Sequence, residues 1–308
     1  MVRLAVDADS GDFGPEATVR GVIAARLAAA EPFAVRLCGE EGRLRRVLAD
    51  IGDDAERCGF EIEHCPETVS ESDKRSTAWK TKRGASIVRC VALQKEGAAD
   101  ASVSAGDTGV LIGAALFILG CEEDVPRPAL AAFVPTPKKP VLIMDVGANI
   151  ECRAEHLAGF AKLGCGYVSR VRGVEAKAAL LNVGSEPHKG PPAVRAAAEI
   201  LSGYERYAGF IEGNKVFSGE ADVVVCDGFV GNALLKACES FYALTAEFLS
   251  DSKEALKHLS QKIKVLNPEN YGAVPFLGIK GAVLKAHGGS SVTSIKNAIL
   301  TAIKAVTA

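Results

Sequence analysis

Short apolar runs alternate along the chain with longer, Ala-rich stretches of helical pattern, and no other feature limits the fold as much. The runs are Leu4–Val6, Ala34–Leu37, Ala101–Val103, Leu130–Val134, Val141–Met144, Ala179–Val183 and Val223–Cys226. Between them lie Pro15–Ala29, Gly109–Leu119 and Asn232–Leu249. Strands covered on both faces read as continuous apolar runs, and parallel neighbours need a crossover that is usually helical. The pattern predicts an α/β fold: a mainly parallel sheet covered by helices on both faces, in a Rossmann-like three-layer arrangement. No linker rich in Pro, Gly or Ser breaks the chain. Residues 1–308 are therefore read as a single α/β domain, either undivided or in two lobes around a central cleft.

Charge narrows the function. Lys plus Arg number 36 and Asp plus Glu 38, a net charge of −2. No pervasive basic field grips a nucleic-acid backbone, so nucleic acid is not an expected partner. The nine Cys are odd in number and form no C-x-x-C pair, and most lie in apolar runs. That usage fits reduced core thiols and a cytoplasmic protein. The chain enters Val2–Asp7 directly, without a secretory pattern, and contains no run of about 18 apolar residues that would span a membrane.

Four strand ends pass into small, Gly-bearing turns with a polar group. They are Asp7–Gly14, Ser104–Gly109, Asp145–Asn149 and Asp227–Asn232. In an open α/β sheet, ligands bind beyond the carboxyl ends of the strands. Gly lets backbone amides approach a ligand, and the following helix offers free N–H groups and a positive dipole end. Repetition of this device points to an anion, most simply phosphate. The phosphate loop G-x-x-x-x-G-K-S/T, a clean G-x-G-x-x-G and the nucleophile elbow G-x-S-x-G are all absent. Asp7, Asp9 and Asp12 have the oxygen ligands for a hard cation, but carboxylates in such turns commonly cap the next helix, and the His form no close-spaced pair. No metal and no cofactor are expected.

The motifs resemble those of the bacterial phosphate acyltransferase family. They comprise Val6-Asp7-Ala8 with Gly11–Glu16, Ser104–Gly109, Arg127–Leu130, Asp145–Asn149, Glu155-His156-Leu157, Leu181–Gly184 with Lys189-Gly190, and Phe217–Glu220 leading into Asp222–Phe229. Tyr271-Gly272, Lys285–Gly288 and Ile295–Ile299 complete a match over nearly the whole chain. The resemblance implies transfer of a fatty acyl group from acyl-[acyl carrier protein] to inorganic phosphate, giving acyl phosphate for phospholipid synthesis. It also implies a fold like those of phosphotransacetylase and isopropylmalate dehydrogenase, a homodimer, and a membrane enzyme that consumes the product. Rival readings are a phosphate acetyl- or butyryltransferase using acyl-coenzyme A, a nicotinamide-dependent decarboxylating dehydrogenase, and a non-catalytic acyl-carrier or membrane-docking protein.

Two departures stand out. The family usually opens Asp-Ala-Met-Gly-Gly-Asp, where this chain has Asp9 and Ser10, and it usually has Asn where this chain has Asp107. A carboxylate beside a bound phosphate repels it. Asp107 must point away, weaken binding, or be protonated in the complex.

On this resemblance the phosphate cradle is Gly11, Ser104, Gly106, Asp107, Thr108 and Gly109, and the catalytic candidates are Lys189, His287, Asp227 and Asn232. Lys82 and Ser86, in a basic segment, read as a solvated helix face or as contacts to phosphate or the phosphopantetheine arm. Acyl carrier protein is acidic, which assigns its docking to the basic run Lys253, Lys257, Lys262 and Lys264. Just before it, Leu234, Leu235, Phe241, Leu244, Phe248 and Leu249 recur at helical spacing. They form either a core-facing stripe or an amphipathic face for a partner subunit or the inner face of the membrane.

Overall fold

The structure, a computed structural model, describes residues 1–70, 72–252, 254, 257, 258, 261 and 272–307. In chain order the described strands are β1 (Val2–Asp7), β2 (Phe33–Gly39), β3 (Glu61–His64), β4 (Ala101–Ser104), β5 (Ala129–Val134) and β6 (Val141–Met144). They continue with β7 (Ala178–Asn182), β8 (Tyr207–Glu212), β9 (Val223–Val225), β10 (Ala273–Leu277) and β11 (Ala282–Ala286). The chain divides into two compact units, Met1–Gly120 with Glu269–Ala308, and Cys121–Pro268.

The first unit orders its strands β3-β2-β1-β4-β11-β10. Its pairs are parallel except the β10–β11 hairpin. Val6 lies opposite both Leu37 and Val103, and Val103 opposite Leu284. Side chains alternate along β1 with period two. Leu4, Val6 and Ala8 join Val19, Val22, Ile295 and Ile299 of the helices Gly14–Ala28 and Val292–Thr307 in one core. Ala5 joins Cys38, Cys65, Cys90 and Leu93 in another. A strand that feeds two cores is buried on both faces, as its unbroken apolar run requires.

The second unit orders its strands β5-β6-β9-β7-β8, antiparallel only at β5–β6. Its long helix Gly228–Phe248 sends Leu235 and Cys238 inward. Phe241, Leu244 and Phe248 are exposed, at 65, 45 and 76%. The core-facing reading of this stripe therefore holds for Leu235 and fails for the three residues after it. No helix among the described residues is long and apolar enough to cross a membrane.

Candidate functional site

β1, β4 and β11 are parallel neighbours, so their carboxyl ends emerge at one edge of the first unit's sheet. The residues beyond those ends line a cavity of about 600 Å³. Asp9 to Asp12 follow β1, Ala105 to Thr108 follow β4, and Gly288 follows β11. Thr68, Val69 and Ser70 add a loop wall, and Ser86 and Ile87 begin the helix Ser86–Lys95.

Gly106 permits this convergence. A Cβ there would sit 2.7 Å from Cδ1 of Ile87 and 2.8 Å from Oγ of Ser10. Gly11, at φ +95°, holds a left-handed backbone that L side chains rarely adopt.

The structure brings part of the expected cradle together. Gly11, Gly106, Asp107 and Thr108 line the cavity, whereas Ser104 and Gly109 are not among the described residues that do. The Ser104 hydroxyl is buried and donates to Oδ2 of Asp7 at 2.6 Å. It accepts from the Gly106 amide at 3.0 Å. Ser104 thus fastens the β4 turn to the end of β1. Asp107 has two partners: Oδ1 accepts from the Val110 amide at 3.0 Å, capping the helix Thr108–Ala114, and Oδ2 lies 3.1 Å from Nε of Arg75.

Ser86 is buried, not on a solvated face, and it opens a helix whose start no described side chain caps. The first amides of a helix lack intrahelical partners, and here they meet the cavity wall. An anion placed there gains N–H donors and the dipole's positive end. Lys82 instead braces the loop wall, donating to the Thr68 carbonyl at 2.9 Å and lying 3.4 Å from Asp73. Lys285 lines the cavity and its Nζ donates to the Ala286 carbonyl. His287 is exposed beside Gly288, and its Nδ1 accepts from the Gly289 amide at 3.1 Å.

Two of the three early carboxylates have partners of their own. Asp7 takes Ser104, while Oδ2 of Asp9 accepts from the Glu40 amide at 2.8 Å and its Oδ1 lies 3.8 Å from Arg43. No cluster of three or more His, Cys, Asp or Glu among the described residues is placed to hold a metal ion. Burial, reinforced by Asp7, raises the Asp9 pKa above the usual carboxylate range. The folded state therefore favours protonated Asp9. That contribution is fully present below the ordinary value of about 3.9 and is lost as pH rises through the raised one. Asp9→Asn, which keeps an acceptor for the Glu40 amide, is expected to melt above wild type at pH 7. The gap should close towards pH 4 in paired thermal scans, and a gap that does not depend on pH would count against this account.

In the second unit, Asp145 organises the turn after β6. Its buried carboxylate accepts from the amides of Leu130, Gly147, Ala148 and Asn149 and from Nδ2 of Asn149, at 2.6 to 3.1 Å. Asp227 caps the helix Gly228–Phe248 by accepting from the Val230 amide at 2.8 Å. Asn232 is exposed one turn along the same helix. The Gly228 amide donates to the Asn149 carbonyl at 2.7 Å, joining the two turns. Lys189 pairs with Glu186 at 2.7 Å, which raises its pKa. His156 is buried with its pKa lowered, first by burial and then by Arg153 and Arg127. Of the expected site residues, Lys189, Asp227 and Asn232 thus belong to the second unit, and the cradle and His287 to the first.

This fold, with ligand-sized space beyond parallel strand ends, is that of the phosphotransacetylase and dehydrogenase-type α/β proteins. The chain superposes on a phosphotransacetylase from Streptococcus pyogenes with a TM-score of 0.68 at 18% identity, covering 100% of this chain and 94% of that one. It matches a 4-hydroxythreonine-4-phosphate dehydrogenase from Klebsiella pneumoniae at 0.59 and 15% identity, covering 100% and 98%. The chain belongs to the fatty acid synthesis protein family, whose sequence profile matches residues 2–308. It is 39% identical over 321 aligned positions to a phosphate acyltransferase from Moorella thermoacetica, spanning 99% of this chain and 92% of that protein.

Proposed function

We propose that the protein transfers a fatty acyl group from acyl-[acyl carrier protein] to inorganic phosphate, yielding acyl phosphate for phospholipid synthesis. The observation that supports this most is the strand-end cavity, with a helix start that no described side chain caps and the hydroxyl-bearing residues Ser10, Thr68, Ser70, Ser86 and Thr108 on its wall. It occurs in a chain similar along almost its full length to a phosphate acyltransferase.

The chemistry asks little of the protein in covalent terms. A phosphate oxygen attacks the thioester carbonyl carbon, a C–O bond forms, and the C–S bond breaks with its electron pair leaving on sulfur. The thiolate, of pKa about 8.5, is a competent leaving group. The protein's task is to hold phosphate in line and stabilise the developing oxyanion. In this reading the Ser86 end of its helix and Thr108 hold phosphate. His287 donates to the carbonyl oxygen or protonates the departing sulfur, and Lys189, Asp227 and Asn232 remain separate catalytic candidates in the second unit. The reading includes a cytoplasmic homodimer that meets acyl carrier protein through its basic segment and works beside the membrane. Lys257 of that segment is exposed, and Lys253, Lys262 and Lys264 lie outside the described residues.

Free thiol followed after mixing the protein with acyl-[acyl carrier protein] or acyl-coenzyme A tests the reading. Release is expected to require phosphate, to be faster from the carrier protein, and to persist in EDTA, since neither nucleophile nor leaving group needs a metal. Release that ignores phosphate would sink the proposal. Preference for acyl-coenzyme A would move the donor assignment to the phosphotransacetylase type.

A further inference from the structure

The cavity read as a phosphate site carries an electrostatic problem. Its wall includes three carboxylates, Asp9, Asp12 and Asp107, against two cations, Arg75 and Lys285. Asp9 is turned to the Glu40 amide and faces Arg43, which leaves Asp12 and Asp107 against Arg75 and Lys285. Balance at the wall therefore depends on Arg75, whose Nε lies 3.1 Å from Asp107.

We infer that Arg75 is a positioning residue for anion binding: by neutralising Asp107 it lets a carboxylate-bearing wall accept a phosphate dianion. The inference rests on the reading of this cavity as a phosphate site. Arg75 acts through Asp107 rather than on the reacting atoms.

Stability does not explain the pair. The two side chains are 71 and 27% exposed, and an ion pair so placed contributes little to folding. Nor does the pair hold its helix. Arg75 opens the helix Arg75–Thr81, whose Ala78 is buried and whose Trp79, one turn on, makes packing contacts of its own. The Trp79 ring stacks on Phe117, with centroids 4.1 Å apart and planes 7° apart. It also lies over Gly113, where a Cβ would come within 2.5 Å of its ring. The helix thus has a packing contact that does not involve Arg75, while the guanidinium reaches a carboxylate that already has its capping role through its other oxygen. What remains for the Arg75–Asp107 contact is charge at the cavity wall. Unit charges about 4 Å apart in water interact strongly enough to change affinity several-fold, and a dianion or a drier site increases the effect.

Titration of the protein with inorganic phosphate, followed by phosphorus NMR line broadening, tests this. Arg75→Met is expected to weaken phosphate binding about tenfold, with a thermal midpoint near wild type. Asp107→Asn alone should tighten binding several-fold. Adding Asp107→Asn to Arg75→Met should return affinity to within about twofold of wild type, and Arg75→Lys should stay within the same margin, because charge rather than guanidinium geometry is required. An Arg75→Met protein that binds as wild type, or a double variant as weak as Arg75→Met, overturns the inference and leaves the phosphate reading standing. Wild-type protein that binds no phosphate overturns both.

Discussion

Gly106→Val should reduce phosphate-dependent thiol release by about a hundredfold or more, a loss typical of displacing a binding group by about 1 Å. Even the first carbon of the new side chain would lie 2.7 Å from Ile87 and 2.8 Å from Ser10, and two further methyl groups must then be placed. Ile87 can yield by rotating its terminal carbon. Ser10 and the start of the helix Ser86–Lys95 can yield only by moving the cavity wall. The β4 turn would shift away from that helix start, and the Gly106 amide would leave the Ser104 hydroxyl. The Michaelis constant for phosphate should carry most of the loss, with the thermal midpoint falling by only a few degrees. A Gly106→Val protein of wild-type activity would show that this turn is not part of the site.

Asp145→Ala should be the most damaging single change for stability. The carboxylate takes four backbone amides and one side-chain amide with no solvent exposure. Each buried donor left unsatisfied costs about 1–3 kcal/mol, so even with partial relaxation the loss is roughly 4–5 kcal/mol. In a unit of this size that corresponds to a midpoint lower by about 10 °C or more. Asp145→Asn keeps the shape and one acceptor oxygen, and should lose less. Calorimetry of the three proteins would measure the ranking, and an unchanged transition in Asp145→Ala would refute the role given to the turn.

Much of this architecture was legible in the residues because burial writes itself into apolar runs. The seven runs read as strands correspond to β1, β2, β4, β5, β6, β7 and β9. β3 escaped because Glu61-Ile62-Glu63-His64 carries one apolar residue at a sheet edge. β10 escaped because Pro275 interrupts its short apolar run, and Pro argues against reading such a run as a strand. β8 and β11 carry Gly209 and Lys285 within their runs, which weakens the apolar signal.

The site was half legible for a related reason. Gly-bearing turns announce space for a ligand, but not which hydroxyl faces it. Ser104 looks like a ligand contact until its hydroxyl is found donating to Asp7, 97 residues away in the chain. Ser86 looks like an ordinary helix residue in a basic segment until the fold sets its amide end against the β4 turn. Asp107 looks like a repulsive charge until Arg75 is found beside it. The signal for the last pair is charge complementarity, which one sequence without tertiary contacts does not display.

The path of the chain sets an order of assembly. Cys121–Pro268 is a continuous stretch, whereas the other unit needs both Met1–Gly120 and Glu269–Ala308. β11 flanks β4, and Ile295 and Ile299 fill the core beneath β1. During synthesis the inserted unit is complete while the amino-terminal one still waits for its last 40 residues. Until then β4 presents an unpaired parallel edge and an open apolar face to whatever else is nascent nearby. A nonsense codon late in the reading frame would therefore leave not a shortened enzyme but an aggregation-prone amino-terminal half attached to a folded carboxy-terminal insert.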